Sequence, residues 1–277
     1  MSLVILADIG GTNTRVALAD GTALQVDSIR RFSNADYQAR GQDIAHVLRD
    51  YLDQTGAKVS GVCVAAAGPV QDGVATMTNL AWVIDGDKLT RATGAARVAI
   101  LNDLQAQGQA LGHIPPANLR RVMEGPIRKA SAMLVVGLGT GVNAAPAHRG
   151  KSGYLVPPSE CGHVNMPVRT DEDFRLLRFM EARLAKAGDA PHAGVEELLA
   201  GRGLANLHAF AASEAGAPAL ATSAEVLTAL ANDDPVAVHA ARIYIHILGQ
   251  MLADQALIHL PYGGIYLIGG MSRAMTP

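Results

Sequence analysis

The chain opens with three short runs of apolar side chains, some alternating with polar ones and some standing in blocks: LVILAD at 3–8, TRVALAD at 14–20 and LQVDSIRRF at 24–32. Gly, Asn and Asp fill the gaps between them. The runs therefore predict three strands joined by tight turns, and strands this close in sequence pair antiparallel. The spacing then changes. Ile44, Val47, Leu48, Tyr51 and Leu52 recur at helical intervals and stop at Gly56, while KVSGVCVAAAG at 58–68 returns as a buried strand. A strand at 96–101 and a helix after Asn102, carrying Leu104, Gly108 and Leu111, complete the first unit.

A second copy of this opening begins near residue 131. SAMLVVG is an apolar strand, LGTG a turn, VNAAPAH a second strand and SGYLVP a third. The pattern is then mainly helical. Thr170 can cap a helix with Asp173 three residues on, and Leu177, Met180 and Leu184 line one face. Asp234 and Pro235 start another helix, with Ile243, Ile247 and Met251 on one face and Leu248 and Leu252 beside it. GGIYLIGG at 263–270 is a last strand. Two α/β units, each opening with a glycine-turned hairpin, imply a ligand cleft between them. The expected division is a small domain at 1–102 and a large one at 103–277.

With 277 residues the chain can bury a substantial core. Its 25 acidic and 23 basic side chains leave a charge of −2, which speaks against a polybasic nucleic-acid binder or membrane tail. Cys63 and Cys161 are too few for a disulfide framework or a thiolate zinc site, so a reducing cytoplasm is expected. The amino terminus lacks the basic start of a secretory signal. The most apolar long stretch, around 236–260, is broken by His246, Gln250, Asp254 and Gln255, and no membrane span is expected. Glycine, at 29 residues, concentrates in short clusters between apolar runs, which directs attention to backbone-critical loops.

The first cluster lies in DIGGTNTR. Asp8 ends a strand, and Gly10, Gly11, Thr12 and Asn13 form a turn whose amides and hydroxyls can approach phosphate oxygens, with Asp8 placed to hold a hydrated Mg²⁺. A second such turn contains Gly137, Gly139, Thr140 and Gly141. Neither is a Walker loop or a dinucleotide fingerprint; two phosphate turns suit a nucleoside triphosphate. Gly269 and Gly270 follow an apolar strand, where a base or ribose could lie against the backbone or the chain simply turns into a helix. Asn102 and Asp103 stand where a strand gives way to a helix, the edge at which open α/β sheets present side chains to ligands. Asp103 reads as a helix N-cap or as a general base acting on a substrate hydroxyl. In SECGHVNMP, Glu160 and His163 share a loop and can point into one cavity as acceptor and donor; a closed zinc site would need more ligands.

Together these segments resemble the bacterial glucokinase family of the hexokinase, actin and Hsp70 ATPase superfamily, from Leu3 to about Arg273. DIGGTNTRVAL and GLGTG are similar to its two phosphate motifs, MTNLAW at 77–82 to its substrate-side segment and LNDLQA to the segment of its catalytic aspartate. SECGHV resembles the sugar loop EGGHV, EELLAGRGL at 196–204 the stretch ERVLSGPGL, and GGIYLIGGM the adenosine motif. The resemblance implies a two-domain ribonuclease H-like (actin-like ATPase) α/β fold. It also implies glucokinase-like transfer of the γ-phosphoryl of ATP to the 6-hydroxyl of glucose. Asp103 would be the base, and Asn79, Asn102, Glu160, His163 and Glu196 would bind the other hydroxyls. Asp8, Gly10, Gly11, Thr12, Asn13, Gly139, Thr140, Gly141, Gly269 and Gly270 would surround the nucleotide, with Asp8 holding Mg²⁺. Domain closure would exclude water, and a cytoplasmic homodimer binding neither nucleic acid nor membrane is implied.

The chain departs from the pattern. Cys161 replaces a glycine of the sugar loop and Asn165 an aspartate after it, changes expected to reshape the sugar pocket; Asn143 follows GLGTGV where glycine is usual, expected to alter the approach of the second turn to the nucleotide. The pattern also continues past the adenosine motif into a helix that returns to the first domain, which the large domain is expected to lack. A kinase for another hexose or amino sugar, and a catalytically weak sugar-binding protein, are the alternatives.

Overall fold

The computed structural model describes residues 3–276 except 78, 79, 127, 129, 130 and 152. Its contacts divide the chain into two units, Met1–Gln107 and Gly108–Pro277.

In the first unit, β1 (Leu3–Ile9), β2 (Asn13–Asp20) and β3 (Ala23–Ser33) form the predicted antiparallel meander. After the short α1 (Asn34–Gln38), helix α2 (Ile44–Thr55) leads into β4 (Gly61–Ala66), which lies parallel to β1. Asp43 caps α2 by accepting from the Ala45 amide at 3.1 Å, and Gly56 closes it in the left-handed conformation at φ 64°. Short strands β5 (Val70–Gln71), β6 (Val74–Thr76) and β7 (Val83–Asp85) make a separate three-stranded sheet, followed by α3 (Gly86–Thr93). With two or three residues each, these strands are too brief to leave an alternation in the sequence. β8 (Arg97–Asn102) then adds parallel to β4, giving the sheet order β3-β2-β1-β4-β8, and α4 (Asp103–Ala110) follows at once.

The second unit repeats the opening. Strands β9 (Met133–Leu138) and β10 (Val142–Arg149) form an antiparallel hairpin with the two-residue β11 (Tyr154–Leu155) at its edge. β12 (Ile265–Ile268) lies parallel to β9, as β4 does to β1. Between them run α5 (Asp171–Ala187), α6 (Val195–Leu199), α7 (Gly203–Ala215), α8 (Ser223–Leu230) and α9 (Pro235–His259); α10 (Gly270–Met275) follows β12. Thr170 and Asp173 form the predicted capping box of α5, whose inward face centres on Leu176 and Met180, with Leu177 only half-buried. Asp234 caps α9 through the Val236 and Ala237 amides at 3.0 and 2.9 Å.

Helix α9 changes the reason for one expectation, since its polar interruptions do not by themselves exclude a membrane span. Its length and mean hydropathy are sufficient for a membrane span despite the polar interruptions. In the fold, however, Ala240, Ile243, Tyr244, Ile247 and Met251 are buried in the apolar core of the second unit, with the Tyr244 hydroxyl donating to the Leu199 carbonyl at 2.9 Å. That is the place of a core helix.

The first unit has its own core, where Ile5, Ile9, Leu48, Tyr51, Val64 and Ile84 are essentially inaccessible. Trp82, the single tryptophan, is buried there and donates its indole N–H to the Gln42 carbonyl at 3.2 Å. Truncating Leu48 would leave a cavity between α2 and the sheet. Leu48→Ala is expected to lower the unfolding free energy by about 2–5 kcal/mol, measured by denaturant titration followed through Trp82 fluorescence.

Candidate active site

Three sequence-predicted groups of the first unit share one sheet edge. In register, Asp8 of β1 lies level with Ala65 of β4 and Leu101 of β8, so Asp8, Asn102 and Asp103 all stand at the carboxyl ends of parallel strands. Asn102 caps α4: its Oδ1 accepts the Leu104 amide at 2.9 Å, while Gln105 Oε1 accepts the Asn102 amide at 3.1 Å. Asn102 Nδ2 donates to the Gly68 carbonyl at 3.1 Å. The cap role weighed for Asp103 thus falls to Asn102, and Asp103 becomes the first residue of the helix. Its Oδ1 also accepts the Leu104 amide, at 2.8 Å.

Asp103 is open to solvent along one side, yet protein crowds the rest of it. That desolvation, reinforced by the negative charge of Asp8, raises its pKa above the ordinary carboxylate value against the opposing Leu104 hydrogen bond. Asp8 itself is 57% exposed and, among the described residues, paired only with Arg15, at 3.3 Å. Such a surface pair contributes little. Asp8 can therefore give up Arg15 for a divalent cation that keeps most of its waters, and a single hard carboxylate oxygen suits Mg²⁺. No cluster of three or more acidic, His or Cys ligands occurs among the described residues, so the donor set does not suit a protein-caged metal.

The first glycine turn is braced from below by a residue that the sequence did not single out. The side chain of Asn34, 1% exposed, donates to the Gly10 carbonyl at 2.7 Å and accepts from the Thr14 hydroxyl at 2.8 Å; its amide donates to the Thr12 carbonyl at 3.0 Å. Gly11 and Thr12 stay exposed at the tip. The only signal for Asn34 is a short amide side chain just after a strand, a common turn feature.

In the second unit, the tip of the β9–β10 hairpin is the second predicted turn. Gly139 donates to the Gly141 carbonyl at 3.0 Å and accepts from the Gly201 amide at 2.7 Å. A Cβ on Gly139 would meet nothing within 4 Å, so its absence leaves open space in front of the turn, where a phosphate oxygen can approach. Gly269, at φ 102°, is required by the fold: a Cβ there would fall 2.2 Å from the Leu138 carbonyl oxygen. The third glycine pair thus abuts the second turn, and Gly270 faces open space.

The SECGHV loop, the expected sugar loop, packs on the same hairpin. Val195 donates to the Val164 carbonyl and Met166 to the Ala193 carbonyl, both at 3.0 Å, so the loop is stitched to the entry of α6, which carries Glu196. Glu196 Oε2 accepts the Val142 amide at 3.0 Å, and its Oε1 accepts from Arg202 at 2.9 Å. Arg202 also grips Glu197 at 2.5 and 3.0 Å, and these carboxylates, Glu197 foremost, push its pKa up. Glu160 and His163 are exposed, and the Glu160 carboxylate has no hydrogen-bond partner among the described residues. Asn79 lies outside the described residues.

Cys161 turns inward. Its side chain is 8% exposed and belongs to the apolar core, where burial raises the thiol pKa. A cavity of about 570 Å³ behind α6, bordered by Arg183, His192, Glu197 and Arg202, is lined by none of Glu160, His163 and Glu196.

The glucokinase family model matches residues 5–277. The chain belongs to the glucokinase family. It is 32% identical to a glucokinase of Sinorhizobium medicae over 99% of this chain and 79% of that protein. A glucokinase structure from an Antarctic psychrotroph superposes with a TM-score of 0.84 at 27% identity, covering 99% of this chain and 85% of that one. A glucokinase of Balamuthia mandrillaris, solved in complex with glucose, gives 0.67 at 25% identity over 97% and 79%. This is an ATP-dependent sugar kinase with the two-domain actin-like ATPase fold of glucokinases.

Asn34→Ala would leave the Gly10 carbonyl and the Thr14 hydroxyl unpaired beneath the first turn. A loss of about 1–3 kcal/mol in stability is expected. A several-fold rise in the KM for ATP with little change in that for glucose should accompany it, measured by denaturant unfolding and ADP-release kinetics.

Proposed function

We propose that this glucokinase-family enzyme transfers the γ-phosphoryl group of ATP to the 6-hydroxyl of glucose, with Asp103 as the general base. The observation that carries the assignment is the setting of Asp103: a helix-first carboxylate at the sheet's carboxyl edge, with its pKa raised by crowding and by Asp8. A raised pKa makes its carboxylate a stronger proton acceptor than an ordinary one. The bound glucose of the Balamuthia relative supports a hexose acceptor.

In the proposed reaction Asp103 takes the proton of the 6-hydroxyl as that oxygen forms its bond to the γ-phosphorus. The bond from the γ-phosphorus to the bridging oxygen breaks, and ADP leaves with that electron pair. Glu160, His163 and Glu196 hold other sugar hydroxyls, the carboxylates as acceptors. Affinity for so polar a ligand rests on these bonds, and an analogue lacking a hydroxyl would leave one of them unpaired, at about 1–3 kcal/mol. The Asn102 amide is bound within the fold at both ends, which orients the start of α4 and leaves its second N–H and second lone pair for a sugar hydroxyl. The exposed segments Gly11–Thr12 and Thr140–Gly141 take phosphate oxygens, Gly10, Asn13 and Gly139 shape the two turns through their own backbone bonds, and Gly269 and Gly270 border the nucleoside. Mg²⁺ held through Asp8 would offset the charge on the transferring phosphates. The proposal includes a homodimer in the cytoplasm acting on neither nucleic acid nor membrane; two unpaired cysteines suit a reducing compartment.

Asp103→Asn tests the assignment. The turnover number should fall by a factor of about 10²–10⁴ while calorimetric glucose affinity is kept; retained turnover would overturn it. The same variant should be more stable than the parent at pH 7. Because the folded chain holds the Asp103 proton more tightly than the unfolded chain, ionisation costs stability. That cost is absent below the ordinary carboxylate pKa and complete once the pH has passed the raised value. The stability gain of Asp103→Asn should therefore vanish in acid, as read by thermal unfolding across pH. The acid limb of the parent's kcat/KM should likewise lie above the ordinary carboxylate value.

A further inference from the structure

Asn143 stands on β10, the second residue after the Gly139–Gly141 turn. Its side-chain amide reaches the sugar loop at two points. Asn143 Nδ2 donates to the Ser159 carbonyl, and Oδ1 accepts the Cys161 amide at 3.2 Å. Oδ1 also accepts the Ala144 amide at 2.8 Å, which fixes the rotamer from its own strand. Ser159 and Cys161 are the neighbours of Glu160 on either side. A single amide therefore clamps the main chain before and after a residue whose own carboxylate is exposed and has no partner among the described residues.

The surroundings leave this loop few other holds at that point. Ser159 Oγ also accepts the Cys161 amide, at 3.2 Å, but Ser159 belongs to the loop itself and cannot anchor it to the sheet. Beyond Glu160, Gly162 presses so closely on the Val142 carbonyl that a Cβ there would sit 2.0 Å from the oxygen. The loop is thus held to β10 by a backbone approach on one side of Glu160 and by Asn143 around it.

We propose that Asn143 is a positioning residue for sugar recognition: by pinning the peptide groups on both sides of Glu160 it aims that carboxylate at the sugar hydroxyls. It would thereby link sugar selection to the strand that leaves the second phosphate turn. The inference rests on the reading that Glu160 receives sugar hydroxyls. Glycine at 143 could form neither bond to the loop, so this chain replaces backbone freedom with a side-chain clamp.

The test compares the full-length parent with Asn143→Ala, Asn143→Asp, Glu160→Gln and the double variant Asn143→Ala/Glu160→Gln. Asn143→Asp preserves the shape and the acceptor for Cys161 but loses the donor to Ser159, and it carries the test if the alanine variant fails to fold. In ADP-release assays, Asn143→Ala and Asn143→Asp should each raise the KM for glucose by about tenfold, with kcat and the KM for ATP within about twofold of the parent. In the Glu160→Gln background, Asn143→Ala should change the KM for glucose by less than about twofold, because both substitutions remove the same interaction. An unchanged glucose KM in the single Asn143 variants would overturn the proposal. So would an equal loss with and without Glu160, or a loss that falls as heavily on kcat and ATP. Should the parent release no ADP in response to glucose, the kinase reading fails separately. Calorimetric glucose affinities of the same proteins would then decide the role of Asn143 by the same ratios, and a parent that binds no glucose would overturn this inference too.

Discussion

The carbonyl oxygen of Val142 occupies the place that a side chain on residue 162 would need, and the arrangement of loop and hairpin in the second unit follows from that approach. Main chain meets main chain there, so the sugar loop and the β9–β10 hairpin cannot be moved apart by exchanging side chains. The amide of the same Val142 donates to Glu196, whose carboxylate would also lie 2.8 Å from a Cβ on Gly141. One peptide unit thus presses on the loop through its oxygen and orients a carboxylate through its nitrogen. Glu196 is in turn held by Arg202, and Gly201 grips the phosphate turn at Gly139. Segments far apart in the chain become one polar framework because each satisfies a backbone group that the hairpin tip leaves over.

The first unit solves a different problem, that of keeping charge where water is partly excluded. Crowding and the charge of Asp8 raise the cost of ionising Asp103, while Asp8 pairs with Arg15 at the surface. Such an edge favours a bound cation or a proton in transit, which is what phosphoryl transfer to an alcohol calls for. The structural cost is met by neutral neighbours: Asn102 caps α4 and Asn34 supports the turn, neither adding charge.

Much of the fold was legible from periodicity. The helix ending at Gly56 and the long helix after Pro235 each bury one coherent face, the meander of β1 to β3 was marked by its turns although β3 is largely exposed, and the family resemblance is confirmed along the chain. Strands β5 to β7 were not legible, because two- or three-residue elements carry no period and are defined by their neighbours. The glycine turns were visible as clusters, but the sequence could not tell which glycines the backbone demands, as at 162 and 269, and which leave room, as at 139. Asn34, Asn143 and Arg202 act through side-chain to backbone bonds or ion pairs between distant segments, and nothing local marks such partners. Asn102 and Asp103 were read as adjacent candidates, while the division of labour between cap and free carboxylate needed coordinates.

The inward turn of Cys161 has a chemical consequence. Its thiol is buried, with the Ser159 hydroxyl and the Ala144 backbone beside it, and burial raises its pKa as it does that of Cys63 on β4. Alkylation and peroxide oxidation proceed through thiolate, which both environments suppress. A cysteine thus stands beside Glu160 with its sulfur turned away from solvent and its thiolate form disfavoured.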